Sequence, residues 1–178
     1  MLRALAVAGA LAVVFGLAGC SLVGSSPKPA ATSTAPSALA SLVPTYPAKL
    51  TTATAKSGSV AAADAIQALI ATSEIVHVDD QSKLVAATTS TGAFYGVERA
   101  VTTQTGFDTI DQGVAMEKLL VEAGWIERAE NTSTSAYSVQ LTTYTSAGVA
   151  ALLIQADATP GAPPVILIEL ESPDLPKK

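Results

Sequence analysis

Apolar residues recur along this chain in two rhythms, and the changes of rhythm mark its elements. Ile66, Leu69, Ile70 and Ser73 fall at helical spacing, with Ala62 and Ala63 one turn earlier. This predicts a helix over residues 60–73, with Ser59 as its N-cap. Residues 75–78 fit either a short strand or an extension of that helix, and Asp79-Asp80 reads as a turn. Residues 83–89 and 94–103 follow as two strands joined at Thr91-Gly92. In the second, Tyr95, Val97 and Val101 share one face, and Phe94, Gly96 and Glu98 the other. A second helix is predicted from Asp108, a capping residue, to Ala123. Asp111 adds negative charge in its first turn, where the helix dipole favours it. Its broad apolar face takes in Ile110, Val114, Met116, Leu120, Val121 and Ala123. Gly124 stands where a left-handed C-terminal residue belongs, and Trp125 is placed to fold back on the last turn as a core residue.

Four strands are predicted after that, over residues 125–129, 137–142, 149–156 and 165–171. Tyr137, Val139 and Leu141 alternate with Ser138, Gln140 and Thr142, the mark of a half-buried antiparallel strand. Residues 149–156 read as a more fully buried strand. Residues 131–135 and the proline-rich run 159–164 read as loops. Successive strands on short turns imply an antiparallel meander, with both helices packed on one face. The expected fold is a two-layer α+β domain over residues 59–173, with 174–178 as a tail.

The start of the chain is different. Arg3 precedes an apolar run from Leu5 to Phe15, and small residues follow from Gly16 to Gly19. This is the layout of a secretory signal peptide, expected over residues 1–19, and it is short for a spanning helix. Leu17-Ala18-Gly19-Cys20 resembles the lipobox of bacterial lipoproteins. The resemblance covers about the first 20 residues. It implies cleavage before Cys20, a diacylglyceryl group on its sulfur, and a place on the extracytoplasmic face of a cell membrane. Two acyl chains anchor stably where one binds only marginally. Residues 20–58 are rich in Ser, Thr, Ala and Pro and read as the lipidated cysteine plus a disordered tether. Leu39, Leu42 and Val43 form an apolar island within it that could dock on the domain.

Composition narrows the partners. Without Arg3 the chain carries 9 basic and 15 acidic residues, a net charge of −6. That argues against nucleic acid as a partner. Cys20 is the only cysteine, so the domain has no disulfide framework. No glycine-rich phosphate loop, EF-hand or dinucleotide fingerprint occurs, and no cofactor or metal is expected.

Candidate chemistry is sparse. His77, the only histidine, shares an extended face with Asp79 and lies near Asp80, a pattern that can serve acid–base or metal chemistry. A polar face ending in an Asp-Asp turn is the simpler explanation and the favoured one. A catalytic zinc site usually takes three protein ligands, and no second histidine is present. Glu169 and Glu171 project together from the last strand, with Asp174 behind them. Paired carboxylates can hydrolyse glycosides when they flank a cleft. Here they alternate with Ile166, Ile168 and Leu170, which suits a charged edge or outer face. Glu117 falls within the apolar arc of the second helix, beside Gly113 and Leu120. A carboxylate buried there is costly unless paired, so Glu117 is a candidate binding residue. Tyr144 lies on the Ser138, Gln140, Thr142 face and is a candidate exposed binding aromatic. Tyr95, Tyr137 and Trp125 read as core residues.

These features favour a lipid-anchored, non-enzymatic binding or structural module of the cell envelope, with an envelope protein or cell-wall partner. No residue is assigned a catalytic role. One alternative is a surface hydrolase using His77 and Asp79 or Glu169 and Glu171. Another is a small-ligand-binding lipoprotein. The helix–strand plan and the Ala/Thr-rich tether are loosely similar in style to small α+β lipoproteins of Gram-positive actinobacteria, a likeness that carries no site residues.

Overall fold

The computed structural model describes residues 38–88 and 92–176. The expected signal peptide, Cys20 and the first part of the expected tether lie outside the described residues. So do residues 89–91, which include Thr91 of the expected Thr91-Gly92 turn.

The described residues belong to one compact unit with a two-layer α+β architecture. Its strands are β1 (Ile75–Asp80), β2 (Lys83–Val85), β3 (Phe94–Thr103), β4 (Ile126–Thr132), β5 (Ala136–Thr145), β6 (Gly148–Asp157) and β7 (Val165–Glu171). Its helices are α1 (Thr52–Gln67) and α2 (Thr109–Ala123). The sheet runs β1-β3-β7-β6-β5-β4, with β2 pairing β3 beside β1, and every pairing is antiparallel. Strands β4 to β7 form the meander. The last strand then docks against β3, so β7 is central rather than an edge.

Alternation along the central strands makes one face of the sheet the core. Tyr95, Val97 and Val101 of β3, Val139 and Leu141 of β5, Leu152 and Ile154 of β6, and Ile166, Ile168 and Leu170 of β7 are all buried. The helices cover this face: α1 lies over β3 and β7, and α2 over β5, β6 and β7. Ala55, Ala62 and Ala63 of α1 are buried and bring its backbone close to the sheet. Strand β6 alternates much as β5 does, so the expectation of a more fully buried strand is corrected.

The first helix begins earlier than the apolar spacing predicts. Its N-cap is Thr51, whose hydroxyl accepts from the Thr54 amide while the Thr54 hydroxyl accepts from the Thr51 amide. Ser59 is therefore not a cap; it is buried inside α1, and its hydroxyl bonds the Tyr46 phenol at 2.7 Å. Alanines and hydroxyl residues ahead of Val60 hide the helical period, because Ala and Ser carry little apolar contrast. Likewise residues 38–58 are part of the folded unit, not tether. A 3-10 turn, Ala38–Leu42, packs against both helices, and Leu42, Tyr46 and Leu50 are buried. The apolar island docks. The Trp125 indole N–H donates to the Leu42 carbonyl at 3.0 Å, and Ser146 donates to the Tyr46 carbonyl at 2.5 Å. Gly58 makes the crossing possible: a Cβ there would lie 2.7 Å from the Thr45 carbonyl oxygen and from the Tyr46 ring.

Smaller differences follow the same logic. Residues 75–80 form a strand, and the turn falls at Gln81-Ser82, with Asp80 accepting from the Ser82 amide at 2.9 Å. Strand β2 stops at Val85. Strand β4 runs on to Thr132, which shortens the expected loop before β5, and the far end of β5 runs on to Thr145. Helix α2 has the expected Asp108 cap and Gly124 at a φ of 111°. Val121 is exposed, so the buried face is narrower and centres on Gly113, Met116 and Leu120.

Candidate functional site

The sheet face opposite the helices carries no described helix, and the register places its side chains in rows. One row is Glu98, Glu169, Leu153 and Gln140, running across β3, β7, β6 and β5. The next is Lys83, Gly96, Glu171, Ala151 and Thr142. On the other side of the first lies Ala100, Leu167, Gln155 and Ser138. Gly96 and Ala151 leave low ground on either side of Glu171. The result is two shallow depressions of about 140 and 270 Å³, separated by the ridge of Glu169 and Glu171. Arg128 reaches onto the rim, its Nε donating to the Thr142 hydroxyl at 2.7 Å.

The two carboxylates expected to pair thus share this open face, as their alternation with the Ile166, Ile168 and Leu170 face implied. Burial of the Glu171 carboxyl raises its pKa above the ordinary carboxylate value, and repulsion from Glu169 and Asp174 adds to the rise. Tyr144 belongs to the same face, at the end of β5 opposite Val149, and is 69% exposed. His77 is exposed on β1, opposite Thr102, with Asp79 opposite Ala100. Strand β3 separates both from Glu169 and Glu171. The Asp79 carboxylate accepts from the Gln81 amide group at 3.0 Å, and Asp80 turns to the other face. Neither His77 nor Asp79 lines the two depressions beside Glu169 and Glu171.

Glu117 sits elsewhere, where α2 meets the β4–β5 end of the sheet. It is half-buried and accepts a 2.5 Å hydrogen bond from the buried Tyr137 phenol. The ring reaches it because Gly113, one turn earlier, leaves space; a Cβ there would lie 2.8 Å from the Tyr137 ring. The partner that a carboxylate in this arc requires is therefore a tyrosine on the neighbouring strand. Burial and the adjacent Glu117 push the Tyr137 hydroxyl far above its usual range. Glu127 and Glu130 of β4 complete a group in which one carboxylate oxygen from each glutamate lies within 4.8 Å of the other two. Desolvation, with repulsion from Glu117 and Glu130, raises the Glu127 pKa. Oxygens so spaced could share a proton or meet a hard cation, but two of the three glutamates are exposed on an edge strand, where charge is ordinary. The cluster by itself defines no metal centre.

Arg99 is the charged residue that the reading of candidates passed over. It lies on the Tyr95, Val97, Val101 face of β3 and is 7% exposed. Its guanidinium binds Asp64 of α1 at 2.7 Å and Asp80 of β1 at 3.1 Å, and donates to Gln67 at 3.3 Å. The signal was present, since strict alternation places residue 99 on the buried face. The arrangement ties α1 to the sheet edge.

A further cleft of about 570 Å³ lies among three loops beside the start of α2. Thr105, Phe107, Asp108, Ser133 and Thr159 are among its lining residues. Its polar groups are largely occupied by their own turns: Asp108 caps α2, Ser133 bonds Ala136, and Thr159 bonds Asp157.

Comparison with protein-family models, with curated proteins and with solved structures finds no match to this chain.

Proposed function

We propose that this chain is a lipid-anchored, extracytoplasmic binding module of a bacterial envelope. Cys20, acylated, holds it to the bilayer, and the open sheet face docks a protein partner. The observation that carries the docking reading is the asymmetry of the folded unit. The chain enters on the helix side, where Leu42 is bonded to Trp125 and the 3-10 turn fills the groove between α1 and α2. The opposite face is left with Leu153, Leu167, Val149 and Tyr144 among its carboxylates. An antiparallel sheet with one solvated face normally shows a cleaner polar pattern there. Residues 21–37 span at most about 60 Å at ~3.5 Å per residue, enough to let a domain stand clear of a bilayer surface.

The anchor is tested by replacing Cys20 with Ser and following the product through detergent phase separation. The wild type is expected in the detergent phase and Cys20→Ser in the aqueous phase; a variant that still enters the detergent phase overturns the lipid anchor. The docking reading is tested by Leu153→Arg, which places a bulky cation in the middle of the open face. Loss of the protein's cross-linked adduct in intact cells, with the thermal midpoint held, supports the reading; an unchanged adduct overturns it. A small-ligand reading has one observation in its favour, the inter-loop cleft, whose volume falls in the range of small-molecule sites. Thermal shifts against sugars and amino acids test it, and a shift abolished by Thr159→Trp locates the ligand there.

A further inference from the structure

The open face carries an electrostatic fault. Glu98 and Glu169 lie directly opposite each other on β3 and β7, two central strands of the sheet. Like charges in directly opposed cross-strand positions destabilise a sheet. Glu171 follows on the same face, and Asp174 lies just beyond its end. Among the described residues the ion pairs are those of Arg99, with Asp64 and Asp80; none reaches Glu98, Glu169 or Glu171. Lys83 and Arg128 stand at the two margins, each separated from Glu171 by intervening strand positions. The middle of the face is therefore net negative, and among the described residues no cation stands within ion-pair distance of these carboxylates. Beside these carboxylates lie Leu153, in register with Glu169, and Leu167, one row away. Acidic groups interleaved with aliphatic pads fit lysine and arginine well, because their stems lie on apolar surface while their heads reach charge.

We propose that the occupant of this face is a cationic segment of a partner protein, its Lys or Arg heads set among Glu98, Glu169 and Glu171 and its stems on Leu153 and Leu167. The inference rests on the docking reading above and adds the partner's chemistry. A second copy of the chain is disfavoured as occupant, since two such faces would oppose like charge. A polyanion is disfavoured for the same reason.

The test uses the full chain in neutral detergent micelles, with octa-lysine as probe and octa-glutamate as its mirror. Two variants of equal charge change are compared: Glu98→Gln with Glu169→Gln on the open face, and Asp111→Asn with Glu122→Gln on exposed positions of α2. Titration calorimetry at low salt is expected to show octa-lysine binding weakened at least fivefold by the first pair and less than twofold by the second. Amide shift changes should map to β3, β6 and β7, and binding should weaken as salt rises. Equal weakening by both pairs means a general net-charge effect and overturns the proposal, as does preferential binding of octa-glutamate. The first pair should also raise the thermal midpoint, since it removes the Glu98–Glu169 repulsion, so loss of binding cannot be ascribed to misfolding. In cells, Leu153→Arg abolishing the adduct while the glutamine pair leaves it intact removes the cationic partner but keeps the docking face. If neither variant changes it, both readings fall.

Discussion

Gly113 is a residue whose missing side chain does structural work. Glycine within a helix ordinarily costs about 1 kcal/mol against alanine. Here the sign reverses, because the Tyr137 ring lies across the position and is held there by its bond to Glu117. Gly113→Ala is expected to destabilise by about 1–3 kcal/mol through overpacking, read as a lowered thermal midpoint. The neighbouring carboxylates set part of the pH dependence. The Glu127 pKa is raised in the folded state above its ordinary 4.5, so the folded chain binds the proton more tightly than the unfolded one. Stability from this group is therefore fully present below pH 4.5 and is lost as pH rises through the raised value. Asp80 acts oppositely. Its hydrogen bond from Ser82 is the first cause of a pKa below 3.8, with Arg99 adding to it. Its contribution is present above that pH and is lost as pH falls through the lowered value. Denaturant melts from pH 3 to 7 should show Glu127→Gln flattening the decline above pH 4.5, with the acid limb below pH 4 unchanged.

At the scale of elements, Arg99 and Gly58 decide how α1 is held. Arg99 is buried, while Asp64 and Asp80 are 62% and 45% exposed. The exposed partners are solvated, so losing one costs little, whereas losing the arginine removes the centre of the network. Asp64→Asn is expected to cost ~0–1 kcal/mol. Arg99→Met keeps the stem packed and is expected to cost about 1–3 kcal/mol, less than the 3–5 kcal/mol of a fully buried pair. Urea melts of the two variants separate these outcomes. At Gly58 the atom that a methyl group would meet is a backbone carbonyl, which cannot swing aside. Gly58→Ala should therefore detach the Tyr46 crossing, exposing Leu42 and Tyr46 and red-shifting the emission of Trp125, which bonds Leu42 in the native fold.

At the scale of the whole molecule, the folded unit reaches further toward the N-terminus than composition implies. Removing residues 21–50 takes Leu42, Tyr46 and Leu50 out of the core. At ~1.5–3 kcal/mol for each large buried side chain, that loss rivals the 5–15 kcal/mol that holds a typical domain. The shorter chain should fail to give a cooperative melt, and a cooperative melt near the wild-type midpoint would show that the N-terminal crossing is dispensable.

The sequence by itself determined the two-layer α+β class, the α2 caps at Asp108 and Gly124, and the outward face of Glu169 and Glu171. Each follows from local rules: strand alternation, helical spacing, and the φ that only glycine adopts cheaply. The tertiary structure alone decided that β7 sits beside β3 and that residues 38–50 cross the helix layer. It also brought Glu117 to Tyr137, and set Glu98 against Glu169. These are pairings between residues far apart in the chain, and strand order and register depend on packing energies that no local pattern encodes. Alternation could place Glu169 on the open face. Only the register across β3 and β7 could place a second carboxylate opposite it.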